Sequence, residues 1–516
     1  MTEPTVKQLF DSISSRFRPE KAADFSGTYH FQISDDRDYS VTIHEGNCMV
    51  TKGLTGDPIC EIKTNSKTYV GIELGKTNPQ MALMMRKVKV SNLSQMIQFS
   101  KYFRKWKPEI PESSRTTENV SRPTIEGPLK GFRILDLTRL LPGPLATMML
   151  ADMGAEVIKI EDPDNPDYVR DFPPMLEETS AFYLSLNRNK KSLALNYSVE
   201  EGMHLLLGLA KTADVIVEQF RPGVMERMGL GFKTLKAVNP KIVFVSISGY
   251  GQTGPYAQRA SHDLNYIGLA GLLATTTDEH GKPVIPGGQI ADVGGGSYMA
   301  VNAVLAALLN VQRTGKGNHV DVSMTDGVLP FTLLQQAATA ANKTGFVAHE
   351  YDLAGKLANY NVYQTSDERW MALGALEPKF WDRFCEVVNH QEWKTRMLDE
   401  GEELKNLKAE VQQLFSTQSC KYWTNIGLMH DICLTPILDL HELPNDPNIR
   451  TRNTLRINQK TNALSVATPL KFSGFSETAG WKAPSLGADT RQVLKQFGYS
   501  EEQIEKYIHQ NIVAVS

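Results

Sequence analysis

Residues 133–160 read RILDLTRLLPGPLATMMLADMGAEVIKI, and this order of residue types decides the fold of most of the chain. Arg133-Ile-Leu-Asp-Leu is an apolar run of strand length, residues 146–153 are apolar at helical spacing, and Glu156-Val-Ile-Lys-Ile is a second short run. A helix between two such runs predicts a βαβ unit. The pattern continues with a predicted helix over 200–210 and predicted strands at Asp214-Val-Ile-Val-Glu and Lys241-Ile-Val-Phe-Val-Ser-Ile. Strands alternating with helices imply an α/β fold, a Rossmann-like parallel sheet. Ligands of such sheets bind beyond the carboxyl ends of the strands, here residues 138–144, 161–167, 219–223 and 248–255. Leu141-Pro-Gly-Pro reads as a tight strand-to-helix turn or, loosely, a phosphate cradle; neither GxGxxG nor GxxxxGKS occurs.

Working outward, three zones separate. Residues 1–103 begin with helical spacing (Val6, Leu9, Phe10, Ile13) and continue in alternating segments at 28–33, 39–44, 48–51 and 60–63. They predict a separate α+β unit with an antiparallel sheet. Residues 104–126 are polar and Pro-broken, a predicted linker. Residues 127–516 hold the α/β region. A chain of 516 residues exceeds one core, so several domains are expected.

Composition narrows the function classes. A net charge of −3 and 22% charged residues give no nucleic-acid or polybasic membrane signature. No apolar run long enough for a transmembrane span stands out. Neither end resembles a signal peptide or a targeting address. Five cysteines, an odd number without a CxxC pair, fit reduced thiols, and the expected location is cytoplasmic. The 11 histidines form no HExxH cluster, so no metal site is expected.

Candidate chemistry gathers in the α/β region. His262 lies in Ala260-Ser-His-Asp-Leu-Asn-Tyr, and 30 residues later Asp292 precedes Gly294-Gly-Gly. Histidine titrates near neutrality and suits general acid/base work, although a lone loop histidine is as readily ordinary. Asp292 reads as a helix N-cap or as the second acid/base group. Amides at that helix start, those of Asp292, Gly294 and Gly295, are candidate oxyanion donors. Glu377, before Pro378, reads as a cap or as a group orienting His262. Arg188, Lys190, Lys191, Arg221 and Arg227 are surface charges or phosphate contacts.

Residues 128–516 resemble the class III CoA-transferase family, in the branch of 2-methylacyl-CoA racemases. The blocks that carry the resemblance run from residues 131–161 through 249–255, 262–266, 292–297, Thr314-Gly-Lys-Gly, 375–378 and Cys433-Leu-Thr-Pro to Pro484-Ser-Leu-Gly. The resemblance implies a Rossmann-like large domain over about 127–325 with a C-terminal return over about 450–516, and a smaller α+β domain over about 330–450. It also implies acyl-CoA substrates, with coenzyme A as part of the substrate and no tightly bound cofactor, and an interlocked homodimer. It makes His262 and Asp292 the two proton-transfer groups, with Glu377 supporting the histidine. CoA contacts carry over to Ala194, Leu195, Asn196, Tyr197, Gln219, Phe220, Arg221, Arg227, Ser261 and Tyr266. In the alternative activity, CoA transfer between carboxylic acids, Asp263 is the nucleophile that forms an anhydride. Two departures stand out. Asp162 replaces a basic residue, with Lys159 or Arg170 as substitutes, and Gly487-Ala-Asp-Thr replaces a Gly-Glu-His-Thr pattern. Residues 1–103 resemble the sterol-carrier-protein type 2 domain through Gly75-Lys-Thr-Asn-Pro-Gln-Met-Ala-Leu-Met-Met-Arg-Lys-Val-Lys-Val and a helix with Met96, Ile97 and Phe99. That resemblance implies a tunnel for fatty acyl or sterol lipid. Arg86 stands where that family usually has Gly.

Overall fold

The structure, a computed structural model, describes the chain except residues 1–3, 23–24, 75–76, 78, 104–126, 177, 279, 344–345, 348–350, 459–462 and 476–481, and the side chains of 20, 80, 81, 84 and 97. The predicted linker and part of the 75–90 signature lie outside the described residues. Two compact units result, Met1–Ser121 and Arg122–Ser516.

In the first unit the helix Val6–Asp11 starts at a capping box formed by Thr5 and Gln8. Strands β1 (Gly27–Ile33), β2 (Tyr39–His44), β3 (Asn47–Lys52), β4 (Pro58–Thr64) and β5 (Lys89–Val90) form one sheet in the order β3-β2-β1-β4-β5. The antiparallel expectation needs correcting, because β1 and β4 pair in parallel. Strand alternation reports which side chains share a face and says nothing of strand direction. The core is aromatic: Phe10 stacks on Tyr39 at 3.9 Å and on Tyr69 at 4.9 Å, and Phe31 and Phe99 close around them. Arg86 has φ of 56°, the left-handed conformation that glycine adopts without strain.

The second unit is built on strands β6 (Arg133–Leu137), β7 (Glu156–Glu161), β8 (Lys190–Leu195), β9 (Val215–Glu218), β10 (Val243–Ser248) and β11 (His319–Ser323). All six are parallel, and their spatial order is β11-β10-β9-β6-β7-β8. In chain order that is 6-5-4-1-2-3, the doubly wound Rossmann arrangement. Ile134, Val157, Val217 and Val245 face one hydrophobic layer, while Leu135, Ile158, Ile216 and Phe244 face the other. Burial on both faces explains why the strands read as unbroken apolar runs. A smaller antiparallel sheet of β12 (Tyr360–Gln364), β13 (Trp370–Gly374) and β14 (Leu434–Pro436) has its own core of Trp381, Phe384, Trp393 and Phe415. The chain then returns, and β15 (Val513–Ala514) adds antiparallel to β8.

Strand order reverses between β6 and β9, which opens a crevice at their carboxyl ends. Helix α1 (Pro142–Asp152) starts there, and the Gly143 amide donates to Gln219 Oε1 across the crevice at 3.1 Å. A Cβ on Gly143 would lie 2.2 Å from that of Thr138, so only glycine fits this turn. Leu141-Pro-Gly-Pro is therefore a packed strand-to-helix turn.

Candidate active site

Helix α2 (Asp263–Leu269) begins at His262, whose amide donates to Asn265 Oδ1 at 3.1 Å. Asp292 lies in the first turn of a second helix, π-helical over Ala291–Tyr298 and continuing as α3 (Met299–Thr314). π-Turns recur at functional sites because they redirect side chains. The glycines permit close packing here: a Cβ on Gly295 would lie 2.3 Å from the Met324 carbonyl oxygen. The stretch Ala291–Thr314 is long and apolar enough to cross a membrane by composition, which the sequence reading overlooked. Half of its apolar window is buried inside the unit, as in a core helix.

The two helix starts converge. His262, Asp263 and Asp292 line one cavity of about 300 Å³, together with Leu264, Ile267, Ile285, Pro286, Gly288 and Gln289. The Asp292 amide donates to Asp263 Oδ1 at 2.9 Å. Burial, and secondarily the Asp263 charge, push the Asp292 carboxyl up to about 6. An acid poised there exchanges protons readily near neutral pH.

The oxyanion expectation changes with this contact. The Asp292 amide is already committed to Asp263, and Gly294 and Gly295 lie buried within the π-helical span. First-turn amides of a helix lack intrahelical acceptors, and among the described residues those of Asp263 and Leu264, beside His262, make no hydrogen bond. Glu377 lies on a different element. It is an exposed N-cap of α4 (Pro378–Val387), near Cys433, and among the described residues no hydrogen bond or ion pair joins it to His262.

The basic residues divide by partner. Lys190 pairs with Asp136 at 3.0 Å and Lys159 with Asp167 at 3.0 Å, all four side chains being inaccessible. Arg188 pairs with Asp152 in the interior, Arg170 with Glu161 at 2.6 Å, and Lys191 with Glu156 at 2.6 Å. Arg188, Lys190 and Lys191 are thus committed to ion pairs rather than presented to phosphate, and neither Lys159 nor Arg170 replaces the base missing at Asp162. Arg221 and Arg227 differ: both are exposed, and neither makes an ion pair among the described residues.

The remaining expected CoA contacts also divide. Ala194 and Leu195 are fully buried in β8, between β7 and β15, so their side chains cannot reach a ligand. Asn196 and Tyr197 follow the strand end, where Arg139 donates to the Tyr197 hydroxyl at 3.4 Å and Phe220 meets the Tyr197 ring edge-on. Tyr266 is buried with its hydroxyl on the Ser261 carbonyl at 2.8 Å, which makes it a support. Ser261 Oγ is buried without a partner among the described residues. One residue escaped the sequence reading. Tyr168 is half exposed, and its phenol is raised by burial first, then by Asp167 and Asp292, so it stands within the field of the cavity. It follows directly on the strand-end segment 161–167, which was the signal available.

The family model for CoA-transferase family III matches residues 129–490. The chain belongs to this family. The SCP-2 sterol transfer family matches residues 6–103, so a domain of that type is fused ahead of the family III region. Mouse succinyl-CoA:glutarate CoA-transferase is 34% identical, over 75% of this chain and 90% of its own length. Human alpha-methylacyl-CoA racemase is 30% identical, over 75% of this chain and 99% of its own. A CAIB/BAIF family protein from Brucella suis, solved by crystallography, superposes with a TM-score of 0.63 at 26% identity, over 72% of this chain and all of its own. The family III relatives thus include both transferases and racemases.

Proposed function

We propose that the family III unit racemises 2-methyl-branched acyl-CoA thioesters by two-base proton transfer. The reading rests on one observation: His262 and Asp292 line a single cavity. Thioester formation acidifies the α-hydrogen. Depending on the enantiomer bound, His262 or Asp292 removes that proton, and the other group returns one to the opposite face. The enolate oxygen is met by the first-turn amides of α2. Arg221 and Arg227 take the CoA phosphates, as exposed guanidiniums without carboxylate partners among the described residues suit that task.

Transfer of CoA between carboxylic acids is the second reading, favoured by the presence of Asp263 in the same cavity. Against it, one carboxylate oxygen of Asp263 is held by the Asp292 amide, which fits a fixed charge better than a nucleophile. Exposed Leu309, Phe331, Leu333 and Leu334 fit a covering second copy, and in a homodimer Glu377 of that copy is free to approach His262. The five cysteines are unpaired, in keeping with a cytoplasmic protein. The SCP-2 domain binds acyl or sterol lipid, and its tether raises the local concentration of substrate.

The test incubates one enantiomer of 2-methyldecanoyl-CoA in deuterated water with no acceptor acid. α-Deuterium incorporation and loss of optical purity are expected. His262→Asn or Asp292→Asn should lower the rate by roughly 10²–10⁴-fold. No exchange rejects the racemase, and an adduct trapped on Asp263 would establish transfer instead.

A further inference from the structure

The cavity is lined by two unlike sets of residues. His262, Asp263 and Asp292 form one, while Leu264, Ile267, Ile285 and Pro286 form the other. Ile267 is buried, but Leu264 is 43% and Ile285 66% exposed, with Val284 beside it at 44%. The segment that holds Ile285 is fixed rather than loose at its start: the Val284 amide donates to the Thr276 carbonyl at 2.9 Å, and Thr277 pairs with Pro283. Large aliphatic side chains held in solvent at the rim of a reaction cavity gain by being covered. Among the described residues no lysine or arginine lines the cavity, and two of its lining residues are carboxylates.

We infer that Leu264, Ile285 and Pro286 form the seat of the substrate's acyl chain, and that this seat selects hydrocarbon chains over acyl groups ending in a carboxylate. This rests on the acyl-CoA reading above and sharpens its substrate class. A thioester placed between His262 and Asp292 has the aliphatic lining residues beside its α-substituents. There each methylene leaves water for apolar contact. A terminal carboxylate would instead meet the charges of Asp263 and Asp292 with no cation to offset them. Ile285 controls the outer part of the seat and, being exposed, tolerates substitution.

The experiment measures α-deuterium exchange for 2-methylbutanoyl-, 2-methylhexanoyl-, 2-methyloctanoyl- and 2-methylglutaryl-CoA on the full chain. kcat/KM should rise about fourfold per methylene over the first few carbons. 2-Methylglutaryl-CoA should be roughly 100-fold poorer than 2-methylhexanoyl-CoA. Ile285→Lys should flatten the chain-length series and narrow the gap to the glutaryl substrate; Ile285→Ala should flatten the series without narrowing that gap. A flat series in the parent chain, a preference for the glutaryl substrate, or Ile285→Lys with unchanged ratios would overturn the seat while leaving the acyl-CoA reading intact. Absence of exchange with all four substrates would instead overturn the racemase reading and the seat with it.

Discussion

Two groups of charged side chains occupy the family III unit, and they differ in what surrounds them. Within the parallel sheet, Asp136 contacts the Lys190 ammonium and the hydroxyls of Thr138 and Thr147, and Lys159 contacts Asp167 and the Thr138 carbonyl. Every one of these groups is both charge-paired and hydrogen-bonded. Burial alone would raise Asp136, but Lys190 and Lys159 hold it well below the usual carboxylate range. At the cavity, Asp292 is partly buried, with no cation beside it among the described residues, and is pushed upward instead. Arg221 and Arg227 have no carboxylate at all among the described residues. Saturated charges fix the frame, whereas unsaturated ones are available to a ligand.

The sharpest way to break this contrast is to unbalance the buried network. Asp136→Asn leaves the buried Lys190 ammonium without its carboxylate partner and still under the repulsion of Lys159. The urea-unfolding transition of the family III unit should lose about 3–5 kcal/mol. The double variant Asp136→Asn with Lys190→Met should recover part of that loss, because the uncompensated charge goes with it. The same transition within about 0.5 kcal/mol of the parent would mean that the network is not a structural frame.

A smaller effect is expected at the exposed arginines. Arg221→Ala and Arg227→Ala should each raise KM for acyl-CoA about tenfold with kcat little changed, as loss of a charge-assisted phosphate contact does. The salt dependence of KM should weaken in parallel. An unchanged KM would place the CoA phosphates elsewhere and remove the distinction between paired and unpaired cations.

That distinction was the part of the site least legible in the sequence. The sheet was legible because β6, β7, β9 and β10 are short apolar runs that alternate with helical segments. His262 and Asp292 were legible as residue types beside a helix start and a glycine run. Partners were not: Lys190 meets Asp136 across 54 positions of sequence, and Arg188 meets Asp152 across 36. Read as isolated positions, Lys190 and Arg221 looked alike. Likewise, amides next to a glycine run read as free donors, because the Asp263 side chain that occupies one of them comes from another helix. In the first unit, the parallel pairing of β1 with β4 was hidden because period-two alternation has no direction.

The finest comparison is between the two aspartates of the cavity, and Asp263→Asn separates them. Asparagine keeps the Oδ1 acceptor for the Asp292 amide and removes only the charge. In the racemase, the enantiomer whose proton Asp292 removes requires that carboxyl ionised, so its rate falls as pH drops through about 6. Burial, the larger cause of that elevation, survives the substitution, whereas the repulsion from Asp263 does not. The acid limb should therefore move to lower pH by about half to one unit, staying above the ordinary carboxylate value, with the rate at pH 8 within about tenfold of the parent. A nucleophilic Asp263 makes a different forecast, since its loss abolishes turnover at every pH. An acid limb that stays in place, or moves upward, would show that Asp263 exerts no charge on Asp292 and that the two carboxylates do not work as a pair.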